Sequence, residues 1–359
     1  MMQRTMPFIS ALLIVNAGLS VAFADAPQNA AAPGLQKPRE VPARTVPVPT
    51  TVSPRLQGVI AAPTMTELLA VPKDAAGWHA LVATSDLRAA QGARALWRQL
   101  GVSVTPANIA GVNCYKIVPA QAAPENRNRL VVHLHSGVYI LNGGEAATGE
   151  GALIAFSTKT SVLSVDYRMP PDHPFPADVD DVVAVWSAVV KDHDPAKIAL
   201  FGSSTGGRLA MATVLKLEAL HLPLPGALFL GAPSADLTKT GDTWFTNEHV
   251  DNALGAYSGL FEGAAKLYAG NRDMEEPLLS PIYGDLHGFP PSILISGTRD
   301  LLLSDTVRTH RKLRQAGVDA ELHVFEGVSH GQYLTSFPSP EAAEAMSEVT
   351  HFFDRHLAR

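Results

Sequence analysis

From residue 113 onward the chain alternates between two hydrophobic periods. Short apolar runs rich in β-branched residues recur as VNCYKIV, RLVVHLH, SVLSVDY, KIALFG, GALFLG, PSILISG and ELHVFEG. Runs of this kind, apolar on successive positions, belong to strands covered on both faces. Between them, apolar residues return at helical spacing around 145–159, 177–192, 205–220, 304–316 and 341–357. The alternation predicts an α/β fold with a mostly parallel central sheet flanked by helices on both sides. Ligands of such sheets sit at the carboxyl ends of the strands, and the chemically suggestive residues of this chain fall there.

Two segments break the alternation. One is about 55–110, with a helical pattern in TSDLRAAQGARALWRQL; the other is 234–280, which carries Trp244, Phe245, Tyr257, Phe261 and Tyr268. Both are expected to form cap elements over the carboxyl edge, with the aromatics packing cap on core. Upstream the texture differs again. Residues 1–24 carry Arg4, an apolar run and Ala22-Phe23-Ala24, the pattern of a secretory signal cleaved before Asp25. The run is too short for a stable membrane span, so the mature protein is expected in the periplasm or outside the cell, an uncleaved anchor being the alternative. Residues 25–54, rich in Ala and Pro, read as a flexible leader, and residues 55–359 as one domain.

Composition narrows the partners. The net charge of −6 comes from interspersed acids and bases with no basic run, so no nucleic-acid partner is expected. Cys114 is the single cysteine; an internal disulfide is impossible, and stability must come from packing. Its place in an apolar run marks it as a buried structural thiol rather than a nucleophile.

The most telling stretch is FGSSTGGRLA, residues 201–210. Gly202-Ser203-Ser204-Thr205-Gly206 is a G-x-S-x-G between a strand and a helix, the pattern of a nucleophile elbow. Ser204 is then the nucleophile and Ser203 only the variable residue, while the Thr205 N–H, at the start of the next helix, faces the oxyanion that will form. A glycine-rich turn of this kind also suits a phosphate, but no lysine follows the glycines as a P-loop requires. A serine hydroxyl needs a base, and the base an orienting carboxylate. Asp300 stands directly behind PSILISG, and His330 follows ELHVFEG in VSHGQY. Asp305 is the rival acid, placed where the next helix has begun.

With these residues in place, the chain resembles the hormone-sensitive-lipase-like branch of the α/β-hydrolases, bacterial esterases with an HGGG oxyanion loop. His135-Ser136-Gly137-Val138-Tyr139 stands where that family has HGGG and an aromatic, DYRMPPDHPFPADVDD resembles its DYRLAPEHPFPAAVDD, and GSSTGG replaces GDSAGG. The likeness covers roughly residues 113–357. It implies the α/β-hydrolase fold with a helical cap, hydrolysis of a small-molecule carboxylic ester through an acyl-enzyme, and no metal or organic cofactor. It implies the same triad, Ser204, Asp300 and His330, and an oxyanion hole of the Gly137, Val138 and Thr205 N–H groups. Ser136, Val138 and Ser203 depart from the family pattern. Val138 brings a β-branched side chain beside the scissile bond, where it narrows the space for a bulky alcohol; glycine there is expected to add backbone freedom and lower stability.

The DYR stretch has its own physical account. Pro170, Pro171, Pro174 and Pro176 force an extended path into the following helix, and Arg168 with Asp172, Asp180 and Asp181 is expected to hold that path by ion pairs. Two alternatives keep the fold and change the function: a lactonase or other acyl hydrolase with the same triad, and a catalytically silent binding protein. The presence of all three triad residues speaks against the second.

Overall fold

The computed structural model describes residues 38–64 and 70–358. The expected signal segment 1–24 and the leader up to residue 37 lie outside the described residues. One sheet runs in the order β1-β2-β4-β3-β5-β6-β7-β8, built from β1 Ser103–Ile109, β2 Val112–Val118, β3 Leu130–Leu134, β4 Ser161–Asp166, β5 Ile198–Ser203, β6 Ala227–Gly231, β7 Ser292–Gly297 and β8 Ala320–Phe325. The β1–β2 and β2–β4 pairings are antiparallel, and all those from β4 across to β8 are parallel. The helices are α1 Pro54–Ile60, α2 Ala75–Leu100, α3 Thr148–Thr158, α4 Ala177–Val189, α5 Thr205–Ala219, α6 Thr243–Thr246, α7 Leu260–Ala269, α8 Leu303–Gln315, α9 Gln332–Thr335 and α10 Pro340–His356. All seven apolar runs became β2 to β8, and the five helical patterns became α3, α4, α5, α8 and α10.

Alternate residues of the central strands feed two cores. On β5, Ile198 and Leu200 join Trp186 of α4 and Leu209 of α5 on one face, while Ala199 and Phe201 join Ile154 of α3 and Phe352 of α10 on the other. Each fully buried side chain of this size contributes roughly 1.5–3 kcal/mol, so the parallel strands are apolar on successive positions because neither face meets water.

Two boundaries differ from expectation. The segment 55–110 is not all cap, because Ser103–Ile109 is β1, paired with β2 at the sheet edge. Pro106 is tolerated there because only one side of an edge strand needs its N–H groups. The leader 25–54 also ends earlier than its composition suggests. Residues 46–53 belong to the same compact unit as the rest of the chain: Val52 is buried, Arg299 donates to the Pro47 carbonyl, and the Ser53 N–H and hydroxyl both donate to Glu341 of α10 at 2.6 and 2.8 Å.

The topology also determines where chemistry can occur. From β3 the chain crosses to β4 on one side, then returns to β5 on the other. The strand order therefore reverses between β3 and β5, opening a crevice at their carboxyl ends.

Candidate active site

Ser204 stands at that crevice, between the end of β5 and the first residue of α5. Its backbone is held at φ 57° and ψ −122°, a region that non-glycine residues adopt only when their surroundings enforce it. The enforcement is visible. The Ser204 N–H donates to the Gly231 carbonyl of β6 at 2.7 Å, and its own carbonyl accepts from Ser234 and Arg208. The flanking glycines are required by close approach: a Cβ on Gly202 would lie 2.1 Å from the Gly206 carbonyl oxygen, and one on Gly206 would lie 2.1 Å from that of Leu134. The Ser204 hydroxyl makes no capping bond to α5.

Asp300 follows β7 and His330 follows β8, and the structure brings these two together, with His330 Nδ1 3.0 Å from Asp300 Oδ1. A carboxylate only accepts, so Nδ1 carries the proton and Nε2 is left as the basic nitrogen. Asp300 is fully buried and is fixed by the Ser296 hydroxyl and the Leu302 N–H, both at 2.8 Å. Burial alone would lower the His330 pKa, but the charge and hydrogen bond of Asp300, with the charges of Asp251 and Glu150, hold it above the usual imidazole value. Asp305 is engaged elsewhere. It sits in the first turn of α8, accepts the Asp236 N–H at 3.2 Å, and burial pushes its pKa well up. No hydrogen bond joins Ser204 to His330 among the described residues; such contacts often tighten only when substrate binds.

Ser203 does more than fill a variable position. Its hydroxyl lies 2.9 Å from that of Tyr333, three residues beyond His330 on α9, and so ties the elbow to the histidine loop. Cys114 is buried, and burial pushes its thiol up to about 12, which excludes it as a nucleophile.

The loop after β3 carries the remaining expected residues. Gly137 has φ 143°, and a Cβ there would lie 2.0 Å from the Leu141 carbonyl oxygen. The N–H groups of Ile140 and Leu141 both donate to the Gly137 carbonyl, whereas those of Gly137, Val138 and Thr205 donate to no protein group among the described residues. Val138 has φ 51°, a left-handed conformation costing a β-branched residue roughly 1–2 kcal/mol. Glycine at this position relieves that strain, which counters the stability loss expected from its freedom alone. Ser136 replaces a family glycine to a purpose: its hydroxyl donates to Glu150 of α3 at 2.5 Å. Helix α2 holds the far side, as Asp86 accepts the N–H groups of Asn142 and Gly143 at 2.6 and 3.1 Å.

The aromatics of 234–280 pack as expected, with one exception. Trp244, Tyr257, Phe261 and Tyr268 are buried, whereas Phe245 is exposed. Tyr268 stacks on Tyr139 of the oxyanion loop, centroids 4.9 Å apart, and its hydroxyl donates to Asp178 at 2.7 Å. Asp178 is also paired with Arg208 at 2.5 Å, both almost completely buried, and the Arg208 guanidinium lies over the Tyr268 ring. Neither Arg208 nor Asp178 was singled out from the sequence, although a charged residue inside GGRLAMA is a signal. Of the DYR set, Arg168 pairs with Asp181 at 2.7 Å. Asp172 instead reaches His79 of α2 at 3.5 Å, and Asp180 is exposed.

Known proteins resemble this chain in sequence and fold. A model of the alpha/beta hydrolase fold family matches residues 131–334. An esterase of Acinetobacter venetianus is 30% identical over 252 residues, covering 70% of this chain and 82% of that protein. The carboxylesterase NlhH of Mycobacterium tuberculosis is 30% identical over 228 residues, 60% of this chain and 70% of its own. Among solved structures, esterase E25 superimposes with a TM-score of 0.87 at 46% identity, covering 89% of this chain and 99% of that one. An esterase from the bacterial hormone-sensitive lipase family gives 0.70 at 27% identity, covering 85% and 99%.

Proposed function

This chain belongs to the α/β-hydrolase fold family, in its hormone-sensitive-lipase-like branch, and from that premise we propose that it is a serine carboxylesterase with Ser204 as nucleophile, His330 as base and Asp300 as orienting acid. The observation that carries the reading is the Asp300–His330 bond, made at the same sheet edge as a serine in a strained elbow. Ser204 Oγ attacks the ester carbonyl carbon while its proton passes to His330 Nε2. Negative charge moves to the former carbonyl oxygen, toward the N–H groups of Gly137, Val138 and Thr205. Collapse of this intermediate expels the alcohol, which takes the proton from His330, and leaves an acyl-Ser204. Water activated by His330 then releases the acid and restores the serine.

The substrates proposed are small to medium carboxylic esters, in keeping with curated relatives that bear the names esterase and carboxylesterase. The test is a panel of aryl esters of rising acyl length, with lactones alongside, across pH. Hydrolysis should rise with pH as His330 loses its proton, with an apparent pKa above the ordinary ~6.5 because the surrounding carboxylates favour the imidazolium. Hydrolysis of lactones alone, or a pH profile without this limb, overturns the reading.

Export belongs to the same proposal and is supported by Arg4, the apolar run and Ala22-Phe23-Ala24. Cells expressing the full chain should yield a periplasmic or secreted protein whose intact mass begins at Asp25. A full-length, membrane-bound form overturns it.

A further inference from the structure

Asp251 lies in the irregular segment between α6 and α7 and is completely buried. Both of its oxygens are occupied. Oδ1 accepts the N–H groups of Ala253 and Leu254 at 2.8 and 3.0 Å. Oδ2 accepts the N–H of Leu301 at 2.9 Å and that of His330 at 3.2 Å. Leu301 is the residue after Asp300, so one oxygen atom takes one donor from the acid's loop and one from the base itself. The neighbouring residues make the same junction: the Asn252 N–H donates to the Ser329 hydroxyl at 3.4 Å, and Gln332 Nε2 donates to Asn252 Oδ1 at 2.7 Å.

A carboxylate fully removed from water is costly unless its hydrogen bonds are complete, and a turn alone needs no anion. Here a second buried carboxylate is kept near Asp300. Burial and the Asp300 charge raise the Asp251 pKa, and His330 acts in the opposite direction. Asp300 bonded to the ring and Asp251 bonded to the backbone N–H of the same residue both place negative charge near the imidazole, which favours its protonated form. That is the state His330 enters once it has taken the Ser204 proton.

We infer that Asp251 is a second, positioning carboxylate of this site: it fixes the acid and histidine loops in one register through their backbone N–H groups, and its charge favours the imidazolium formed during attack. The inference rests on the reading of Ser204, Asp300 and His330 as the triad. The charged groups facing His330 are Asp300 from the β7–α8 loop, Asp251 from the α6–α7 segment and Glu150 from α3.

The experiment is Asp251→Asn in the full chain, with active sites counted by end-point labelling with an aryl phosphonate. Asparagine keeps one acceptor but places an NH₂ against one of the two donor pairs, and it removes the charge. The expected result is a fall in kcat per labelled site of about 10- to 100-fold with KM nearly unchanged, and a rising pH limb displaced to lower pH. Asp251→Glu, which keeps the charge but misplaces the oxygens, should lose kcat while its pH limb stays in place. Unmodified kcat per labelled site and an unmoved limb in Asp251→Asn overturn the inference while leaving the triad intact. If neither variant folds, Asp251 is a structural residue alone and the inference fails. An active Ser204→Ala variant removes the triad reading itself, whatever Asp251 does.

Discussion

Replacing Ser204 by alanine should reduce ester hydrolysis to background, a loss of about 10⁴-fold or more in kcat, while Ser203→Ala should keep most of it. The two serines are adjacent, equally small and both buried, so composition cannot separate them; backbone conformation does. Ser204 sits in the strained turn at the carboxyl end of the crevice, and alanine fits that turn no worse than serine, so the fold should survive and only the attacking oxygen is lost. Ser203 points its hydroxyl to Tyr333. Alanine there leaves a buried phenol without its partner, at about 1–3 kcal/mol, which should appear as a lower melting temperature rather than a lost reaction. Parallel measurement of kcat and thermal unfolding on both variants decides the matter. Equal losses of activity would assign the nucleophile to neither serine.

The largest loss of stability should come from Asp178→Ala. Asp178 accepts from Arg208 and from Tyr268, and Arg208 and Asp178 are 1% and 4% exposed. Removing the carboxylate strands the guanidinium in a place water does not reach, a change that generally costs about 3–5 kcal/mol. For a chain of this size that corresponds to a fall in Tm of about 4–8 °C. Activity should fall as well, because Tyr268 stacks on Tyr139 of the oxyanion loop. Pairing the change with Arg208→Met should recover part of the stability, since two apolar side chains are easier to bury than one lone charge. Thermal and guanidinium melts of the single and double variants measure both effects, and an Asp178→Ala protein as stable as the parent would mean the pair is solvated in solution.

The parallel sheet could be read from the sequence because its strands are buried on both faces and therefore carry long unbroken apolar runs. The elbow was readable because its geometry demands glycine at particular places. The edge strand β1 was not, since SVTPANI is half exposed and interrupted by Pro106, so its pattern resembles a loop. Asp300 and His330 could be placed because each follows a recognisable strand. Asp251 escaped notice for the opposite reason: it lies in an irregular segment, and its partners in the acid and histidine loops are 50 and 79 residues away in sequence. The buried pair Arg208–Asp178 joins α5 to α4 across 30 residues of sequence, and only the fold shows that these two charges, among several on the two helices, meet.

The glycines of the crevice bear on how such a site can change over generations. At 137, 202 and 206 the first atom of any side chain collides with backbone oxygen rather than with a movable side chain, so no compensating change nearby can make room. Side chains have room only at the positions beside them. The positions beside them are Ser136, with a hydroxyl resting on Glu150, Ser203, tied to Tyr333, and Val138, held in a left-handed turn. The scaffold of the reaction is closed to substitution, and variation enters through the residues that line its gaps.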